Sequence, residues 1–155
     1  MCSTSKRRCL AWGEDKLAPV YAAPGINAYR AANGRAAVSL RGDVTVIGAS
    51  GGWVLVSYQI SNRTARFGYV QAAAGAFDAP ELRFSAASAR LAQKSYWTDD
   101  PDVSQFVQGT LPAGRRVLAL AAYNAFYAYV ETKANGKAAR GFVPLAALIV
   151  EPVTP

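Results

Sequence analysis

The stretch from Val44 to Val70, VTVIGASGGWVLVSYQISNRTARFGYV, returns without a gap 73 residues later as VLALAAYNAFYAYVETKANGKAARGFV, from Val117 to Val143. The matched positions include Val44 with Val117, Asn62 with Asn135, Gly68 with Gly141, Trp53 with Phe126 and Tyr69 with Phe142. Self-similarity at a fixed period indicates one structural unit that occurs twice, so we predict two modules of roughly 60 to 70 residues.

The first copy reads as three short strands. The segments VTVIG, WVLVSYQIS and TARFGYVQA are rich in β-branched and aromatic residues and are separated by turn residues. Because successive side chains of a strand alternate between two faces, Val54, Val56 and Tyr58 are predicted to share the core face. Trp53 then lies at the entrance of its strand on the opposite face. In the second copy, Asn135-Gly136 predicts a tight hairpin, since both residue types tolerate positive φ.

The repeat divides the chain into five segments. They are a flexible lead-in at 1–16, a first module at 17–72, a linker at 73–83, a second module at 84–150 and a tail at 151–155. A domain of about 60 residues buries only about 60% of the surface that its unfolded chain exposes. Each module is therefore expected to gain stability by packing against the other, and the short linker favours a fixed or hinged pair.

The composition removes several kinds of site. The chain has no histidine, and its two cysteines, Cys2 and Cys9, both lie in the lead-in. Zinc sites need several Cys or His ligands, and triads built on histidine need that residue, so neither is expected. Serine-lysine or carboxylate chemistry stays open on composition alone. However, no two of the ten acidic residues face each other within the repeated stretches, so we predict a non-enzymatic protein without a metal or cofactor.

The formal net charge is +7, and residues 17–72 contain five arginines against one acidic residue, Asp43. Such a balance suits an acidic partner such as nucleic acid, anionic lipid or an acidic wall polymer, although a solvated surface is the favoured interpretation. No run of about 18 apolar residues occurs, so no membrane span is predicted. No apolar stretch follows the basic Lys6–Arg8 as a signal peptide would require, and the start is also what a trimmed or internal fragment would have.

The order of these segments resembles the bacterial SH3-like domain: a strand, a polar loop, an LPAG turn, a strand that begins with an aromatic residue, a hairpin and Gly-Tyr/Phe-Val. The matching segments are Trp53–Tyr58 and Gly68–Val70 in the first module, and Leu111–Gly114, Phe126–Tyr129 and Arg140–Val143 in the second. The combination of YWTDDP, AAYNAFYAYVE and RGFVP is also similar to tandem-SH3 surface proteins of gut anaerobes. The resemblance implies an all-β chain with two tandem five-stranded barrels packed against each other.

The resemblance also implies a function. Bacterial SH3-like modules are non-catalytic binding or targeting units of the cell envelope or extracellular space, and they recognise wall peptides, glycans or protein partners. Nucleic-acid binding is an alternative, because small basic β-barrels with exposed aromatics bind RNA or DNA by stacking and phosphate contacts. A structural spacer within a larger surface protein is a second alternative. Neither the ligand nor the oligomeric state is indicated.

In SH3-type domains, which the chain resembles, the ligand groove lies between the first long loop and the loop before the aromatic-started strand. The candidates there are Tyr21, Tyr29, Trp53 and Tyr69 in the first module, and Tyr96, Trp97, Asp99, Asp100, Asp102, Tyr123, Phe126 and Tyr127 in the second. Aromatic rings bury a large flat area at little entropic cost, and carboxylates pair with basic peptides. The competing interpretation is that the aromatics close the barrel ends and the aspartates stabilise turns.

Overall fold

The computed structural model describes residues 17–31, 36–39, 44–59, 65–71, 80–101 and 107–151. The strands are β1 Leu17–Pro19, β2 Ala37–Ser39, β3 Val44–Ser50, β4 Trp53–Gln59, β5 Ala65–Gln71, β6 Ala87–Leu91, β7 Ser95–Thr98, β8 Val107–Leu111, β9 Arg116–Tyr123, β10 Tyr127–Ala134, β11 Lys137–Pro144 and β12 Leu148–Val150. A 3-10 helix at Leu145–Ala147 precedes β12. This part of the chain is all-β, as predicted. The lead-in at 1–16, the linker residues 73–79 and the tail residues 152–155 lie outside the described residues.

The strands form three antiparallel sheets. Their orders are β1-β2, β3-β4-β5 and β12-β6-β9-β10-β11-β7-β8. None of these described sheets closes into a barrel, which differs from the closed five-stranded barrels that the resemblance implies. In the first module, β1 and β2 have three residues each, and the described contact between their sheet and β5 runs through a bridge between Tyr21 and Tyr69. Within the described ranges, no helix has the length and apolarity needed to cross a membrane.

The predicted three-stranded meander is confirmed by β3, β4 and β5. Val54, Val56 and Tyr58 lie in one buried cluster with Val20 and Val70, so the alternation of strand faces places them in the core of the first module as expected. A second cluster is built mainly from the second module, and its members include Leu91, Trp97, Leu111, Val117, Val130 and Val143. It also contains Ala22 and Tyr29, so residues of the first module complete the apolar core of the second.

The predicted hairpin at Asn135-Gly136 is also confirmed. The two residues have φ angles of 52° and 75°, and Ala134 pairs with Lys137 across them. A two-residue loop with positive φ at both positions matches the right-handed twist of the flanking strands. This local signal fixes the register of β10 against β11.

The strand registers show that the two copies do not align without gaps. Ser50 pairs with Trp53 across the turn between β3 and β4, whereas Tyr123 pairs with Tyr127 across the turn between β9 and β10. Tyr127 therefore takes the place of Trp53, and the sequence alignment of Trp53 with Phe126 is wrong. The turn in the second module contains one residue more, and the tight hairpin before β11 restores the original offset. Two compensating length changes made the sequence repeat look continuous.

Both modules carry a β-bulge at the same repeat position. The register of β3 against β4 skips Ile47, and the register of β9 against β10 skips Leu120, which is one repeat later in the chain. A bulge bends its strand and increases the local twist. Leu120 is a buried member of a third apolar cluster, which contains residues of both modules, and Ile47 packs against this cluster.

Equivalent faces of the two modules meet in this third cluster. Its buried members are Leu55, Tyr69, Leu120, Tyr129 and Phe142. Leu55 corresponds to Tyr129 and Tyr69 to Phe142, so the same face of each module contacts the other. This is the arrangement of an isologous dimer interface, here within one chain.

Backbone hydrogen bonds follow the same symmetry. Phe67 on β5 donates its N–H to the carbonyl of Asp99 at 2.8 Å, and Arg140 on β11 donates its N–H to the carbonyl of Ala22 at 2.9 Å. Phe67 and Arg140 occupy equivalent repeat positions. Each module thus uses the same strand to bond the first loop of the other module.

The end of the predicted linker is attached to both modules. The N–H of Ala49 donates to the carbonyl of Pro80 at 2.8 Å, and the N–H of Leu82 donates to the carbonyl of Ala49 at 2.7 Å. The ring of Phe84 then lies 5.7 Å from the ring of Tyr129. Residues 80–84 therefore run along β3 and enter the junction between the modules.

Candidate functional site

The structure separates the candidate residues by burial. Those that are buried are Tyr29, Tyr69, Trp97, Asp99 and Asp100. Those that are partly buried are Tyr21, Trp53, Tyr96, Tyr123 and Tyr127. Phe126 is 73% exposed, and Asp102 lies outside the described residues. The buried group is occupied in packing, so a ligand in this conformation would contact the others.

Tyr29 and Trp97 connect the modules. Their rings meet edge to face with centroids 5.7 Å apart, and the N–H of Tyr29 donates to the carbonyl of Ala138 at 2.9 Å. Trp97 lies over Gly109 and Gly141, where a Cβ atom would overlap its indole. Glycine at these positions is thus required by the indole ring, which fills the core of the second module.

Asp99 pairs with a residue of the other module. The guanidinium of Arg66 donates from Nη2 to Asp99 Oδ2 at 2.7 Å and from Nε to Oδ1 at 3.0 Å. Burial disfavours the carboxylate more than Arg66 stabilises it, and it raises the pKa of Asp99 to about 6. The carboxylate that could have recognised a basic peptide is therefore engaged within the chain.

Asp100 has a local role. Thr98 Oγ1 donates to Asp100 Oδ1 at 2.8 Å, and the N–H of Asp100 donates to Thr98 Oγ1 at 3.1 Å. This exchange closes the turn after β7 through short side chains. It agrees with the interpretation in which the aspartates stabilise turns.

Tyr21 and Trp53 are brought together at one end of the first module. Their rings meet edge to face with centroids 5.1 Å apart. The guanidinium of Arg30 lies 5.1 Å from the centroid of Tyr21 and donates to the carbonyl of Ala36 at 2.9 Å. The pair forms a partly exposed aromatic surface that Arg30 holds in place.

Phe126 protrudes from the turn between β9 and β10. The two preceding residues, Asn124 and Ala125, have φ angles of 47° and 67°. Alanine in the left-handed region costs roughly 1–2 kcal/mol, so this turn stores some strain. The strained turn holds the phenyl ring away from the protein surface.

An apolar groove lies where the two modules meet, and we name it the junction groove. Its volume is about 440 Å³. It is lined by Thr45, Ile47, Leu55, Ser57, Phe67, Phe84, Ala121, Ala122, Tyr123, Tyr129 and Phe142. None of these lining residues carries a charge. Pockets of about 300–1,000 Å³ with apolar walls and few polar groups are typical of ligand sites.

Aromatic contacts shape one wall of the junction groove. The ring of Phe67 lies 5.2 Å from that of Phe142 and 5.8 Å from that of Tyr123. The rings of Tyr123 and Phe142 are 5.3 Å apart. Rings from both modules thus interlock in the tilted and edge-on geometries that their quadrupoles favour.

A polar network lies behind this wall. The hydroxyl of Tyr69 accepts hydrogen bonds from Arg140 Nη1 at 2.9 Å and from the hydroxyl of Tyr129 at 3.0 Å. Arg140 Nε donates to Glu131 Oε1 at 2.9 Å. Burial raises the pKa of Tyr129 well above its ordinary value, so this phenol stays neutral. These bonds fix the side chains that support the groove.

Of the candidate residues, only Tyr123 lines the junction groove. The remaining lining residues were not predicted, because the sequence shows which face of a strand is buried in the core of its module but not what covers the opposite face. Leu55 and Ser57 alternate with Val54, Val56 and Tyr58 along β4 and therefore lie on that opposite face. The apolar character of Leu55 and of its counterpart Tyr129 was the available signal for a covered surface.

Similarity to known proteins does not indicate a site, so the candidate site is chosen on the geometry of the chain itself. No protein-family model, curated protein or solved structure has a significant match to the chain. Within the described ranges, no three side chains of the metal-binding types lie close enough to hold an ion. The junction groove is therefore the strongest candidate site.

Proposed function

We propose that this chain is a non-catalytic binding module of the bacterial cell envelope, in which two SH3-like units hold an apolar side chain of a peptide in the junction groove. The observation that carries the proposal is a groove with aromatic and aliphatic walls and no charged residue in its lining. Such walls bind by burial of apolar surface, which is worth roughly 25 cal/mol per Å².

The strand order supports the SH3-like part of the proposal. In the second module, β6 pairs with β9, the hairpin β7-β8 is inserted between them in the chain, and a 3-10 helix leads into β12, which returns to β6. In the first module, Tyr21 bridges Tyr69 on β5, as Thr98 pairs with Phe142 on β11. The envelope location rests on the sequence resemblance.

The lining favours a peptide over a glycan. A sugar needs several polar partners in defined directions, whereas the polar side-chain groups of the lining are four hydroxyls, those of Thr45, Ser57, Tyr123 and Tyr129. Thr45 and Ser57 form a cross-strand pair, and the hydroxyl of Tyr129 is bonded to Tyr69. An aliphatic or aromatic side chain needs only shape and burial, and one hydroxyl can accept or donate to the peptide backbone. A wall peptide or a segment of a protein partner provides both an apolar side chain and a polar backbone.

Filling the groove tests the proposal. Ala122 is an exposed residue of the lining, so Ala122→Trp places an indole in the groove without removing a core side chain. Ala92→Trp is the matched control, because Ala92 is also exposed and does not line the groove. The measurement is the retention of each protein on purified peptidoglycan and on a panel of immobilised apolar peptides.

We expect wild type and Ala92→Trp to be retained equally. Ala122→Trp should lose at least about tenfold in affinity, because the indole excludes the apolar side chain of the ligand from the groove. Equal retention of all three proteins would show that binding occurs elsewhere. No retention of wild type on any of these materials would instead favour the structural spacer.

A further inference from the structure

One end of the second module carries a cluster of exposed cations, which we name the basic end. Its members are Arg90, Lys94, Arg115, Arg116, Lys133 and Lys137. In the first module, by contrast, the described arginines are engaged: Arg30 bonds to backbone carbonyls, and Arg66 pairs with Asp99. The exposed positive charge of the described residues is thus concentrated in the second module.

The topology brings these cations together. The N–H of Gly114 donates to the carbonyl of Leu91 at 2.7 Å, which places the turn before β9 beside the bend after β6. The start of β9 also adjoins the end of β10, because Leu118 pairs with Glu131 in an antiparallel register. Two turns and a bend therefore meet at one end of the sheet.

Arg90 and Arg116 lie directly opposite each other on neighbouring strands. Like charges at opposite positions of a strand pair are destabilising. Arg116 and Lys133 also line one depression of about 280 Å³, whose lining includes the carboxylates of Glu131 and Glu151. In the absence of a ligand, this repulsion between like charges remains in the folded protein.

Apart from Glu151, the described carboxylates are engaged away from the cations of the basic end. Glu81 pairs with Arg83, Asp99 with Arg66 and Glu131 with Arg140. Asp100 is buried beside Thr98. Across the described ranges, no ion pair joins any member of the basic end, so an external anion would relieve its mutual repulsion.

The large exposed side chains nearest the basic end are aliphatic. Ile149 pairs with Arg90, and Leu118 follows Arg116 by two residues on the same strand face. The aromatic side chains of β9 and β10 lie at the opposite end, around Tyr123 and Tyr127. Proteins that bind single-stranded nucleic acid combine a basic groove with aromatic stacking platforms, which the described residues of this end lack.

We propose that the basic end binds a linear phosphodiester polyanion that carries no bases, of which poly(glycerol phosphate) is the simplest. Guanidinium groups match the paired oxygens of a phosphate, and lysines add point charges along the chain. The site is separate from the junction groove, because Ala121–Tyr123 in the groove and Arg116 in the basic end lie at opposite ends of β9. It does not depend on the proposed function.

The test titrates labelled poly(glycerol phosphate) into the full chain at several salt concentrations. Arg116→Glu is compared with Arg83→Glu, which makes the same charge change at an exposed arginine outside the basic end. We expect Arg116→Glu to lose about tenfold or more in affinity and to lower the salt slope by about one, because one phosphate contact disappears. Arg83→Glu should stay within about twofold of wild type, since only long-range charge changes.

Three results would overturn the proposal. They are no binding of poly(glycerol phosphate) by wild type, an equal loss in Arg83→Glu, and tighter binding of an oligonucleotide or of polygalacturonate at equal charge concentration. Tighter binding of the oligonucleotide would assign the basic end to nucleic acid. Thermal unfolding of each variant checks that the fold is intact, which the exposure of Arg116 leads us to expect.

Discussion

Arg66 on β5 and Asp99 after β7 form a buried ion pair between the two modules, with Nη2 and Oδ2 2.7 Å apart. The side chains are 8% and 6% exposed. Their counterparts under the symmetry of the junction, Ala139 and Ala22, are both small and buried. The ion pair therefore occurs on one side of a junction in which the backbone bonds of Phe67 and Arg140 are reciprocal.

Breaking this pair should destabilise the chain strongly. Asp99→Ala leaves the buried guanidinium of Arg66 without its carboxylate, and removal of one partner of a buried pair costs about 3–5 kcal/mol. Urea unfolding gives the change in free energy. The control is Glu81→Gln, which breaks the exposed pair with Arg83 and should cost less than about 1 kcal/mol. Similar losses in both variants would contradict the structural role assigned to Arg66 and Asp99.

The pKa of Asp99 predicts a pH dependence. Its value of about 6 in the folded chain lies above the ordinary 3.8, so the folded state binds this proton more tightly than the unfolded state. Asp99 therefore contributes stability that is fully present below about pH 4 and is lost as the pH rises to about 6. The loss amounts to about 3 kcal/mol at most. Unfolding of wild type and Asp99→Asn between pH 4 and 7 should show this slope in wild type and its absence in the variant.

Local patterns in the sequence were sufficient to predict the three-stranded meander of β3, β4 and β5. The alternation that places Val54, Val56 and Tyr58 on one face is a property of any strand, and the Asn135-Gly136 turn depends only on two residues. The match of Trp53 with Phe126 failed because an extra turn residue before β10 is offset by a shorter turn after it. Equal total length concealed both changes, and only the strand register reveals them.

The site was harder to predict because it is formed between modules. Tyr69 and Trp97 are aromatic residues of the kind found at exposed ligand-binding surfaces, yet both are buried. Tyr69 is covered by the second module and Trp97 packs beneath the first loop of the first. A sequence gives the apolar residues of each module but not the surface that each presents to the other. The junction groove depends on that docking and has no local signature.

Two equivalent glycines should be sensitive to substitution. A Cβ atom at Gly68 would overlap Val20, and one at Gly141 would overlap Trp97. In each case a side chain just before the first loop of the module lies directly on the last long strand, and forcing extra volume into such a contact costs about 1–3 kcal/mol. Chemical denaturation of Gly68→Ala and Gly141→Ala should show this loss in both. A neutral result for either would mean that the first loop can move away from its glycine.

The hydroxyl of Tyr69 should stabilise the junction. It accepts hydrogen bonds from Arg140 and from the hydroxyl of Tyr129, so Tyr69→Phe removes the acceptor of the buried Tyr129 hydroxyl and one acceptor of the partly buried Arg140. An unsatisfied buried polar group costs about 1–3 kcal/mol, and a charged donor costs more. Tyr96→Phe is the control, because Tyr96 is only partly buried.

The two variants separate a hydrogen-bonding role from an aromatic one, since each replacement keeps the ring. We expect thermal unfolding to show a clear loss for Tyr69→Phe and a change below about 0.5 kcal/mol for Tyr96→Phe. Loss of the network would also release Arg140 from one of its partners behind the wall of the junction groove. If Tyr69→Phe unfolds like wild type, packing alone holds the modules together, and the bonds to Arg140 and Tyr129 do not contribute.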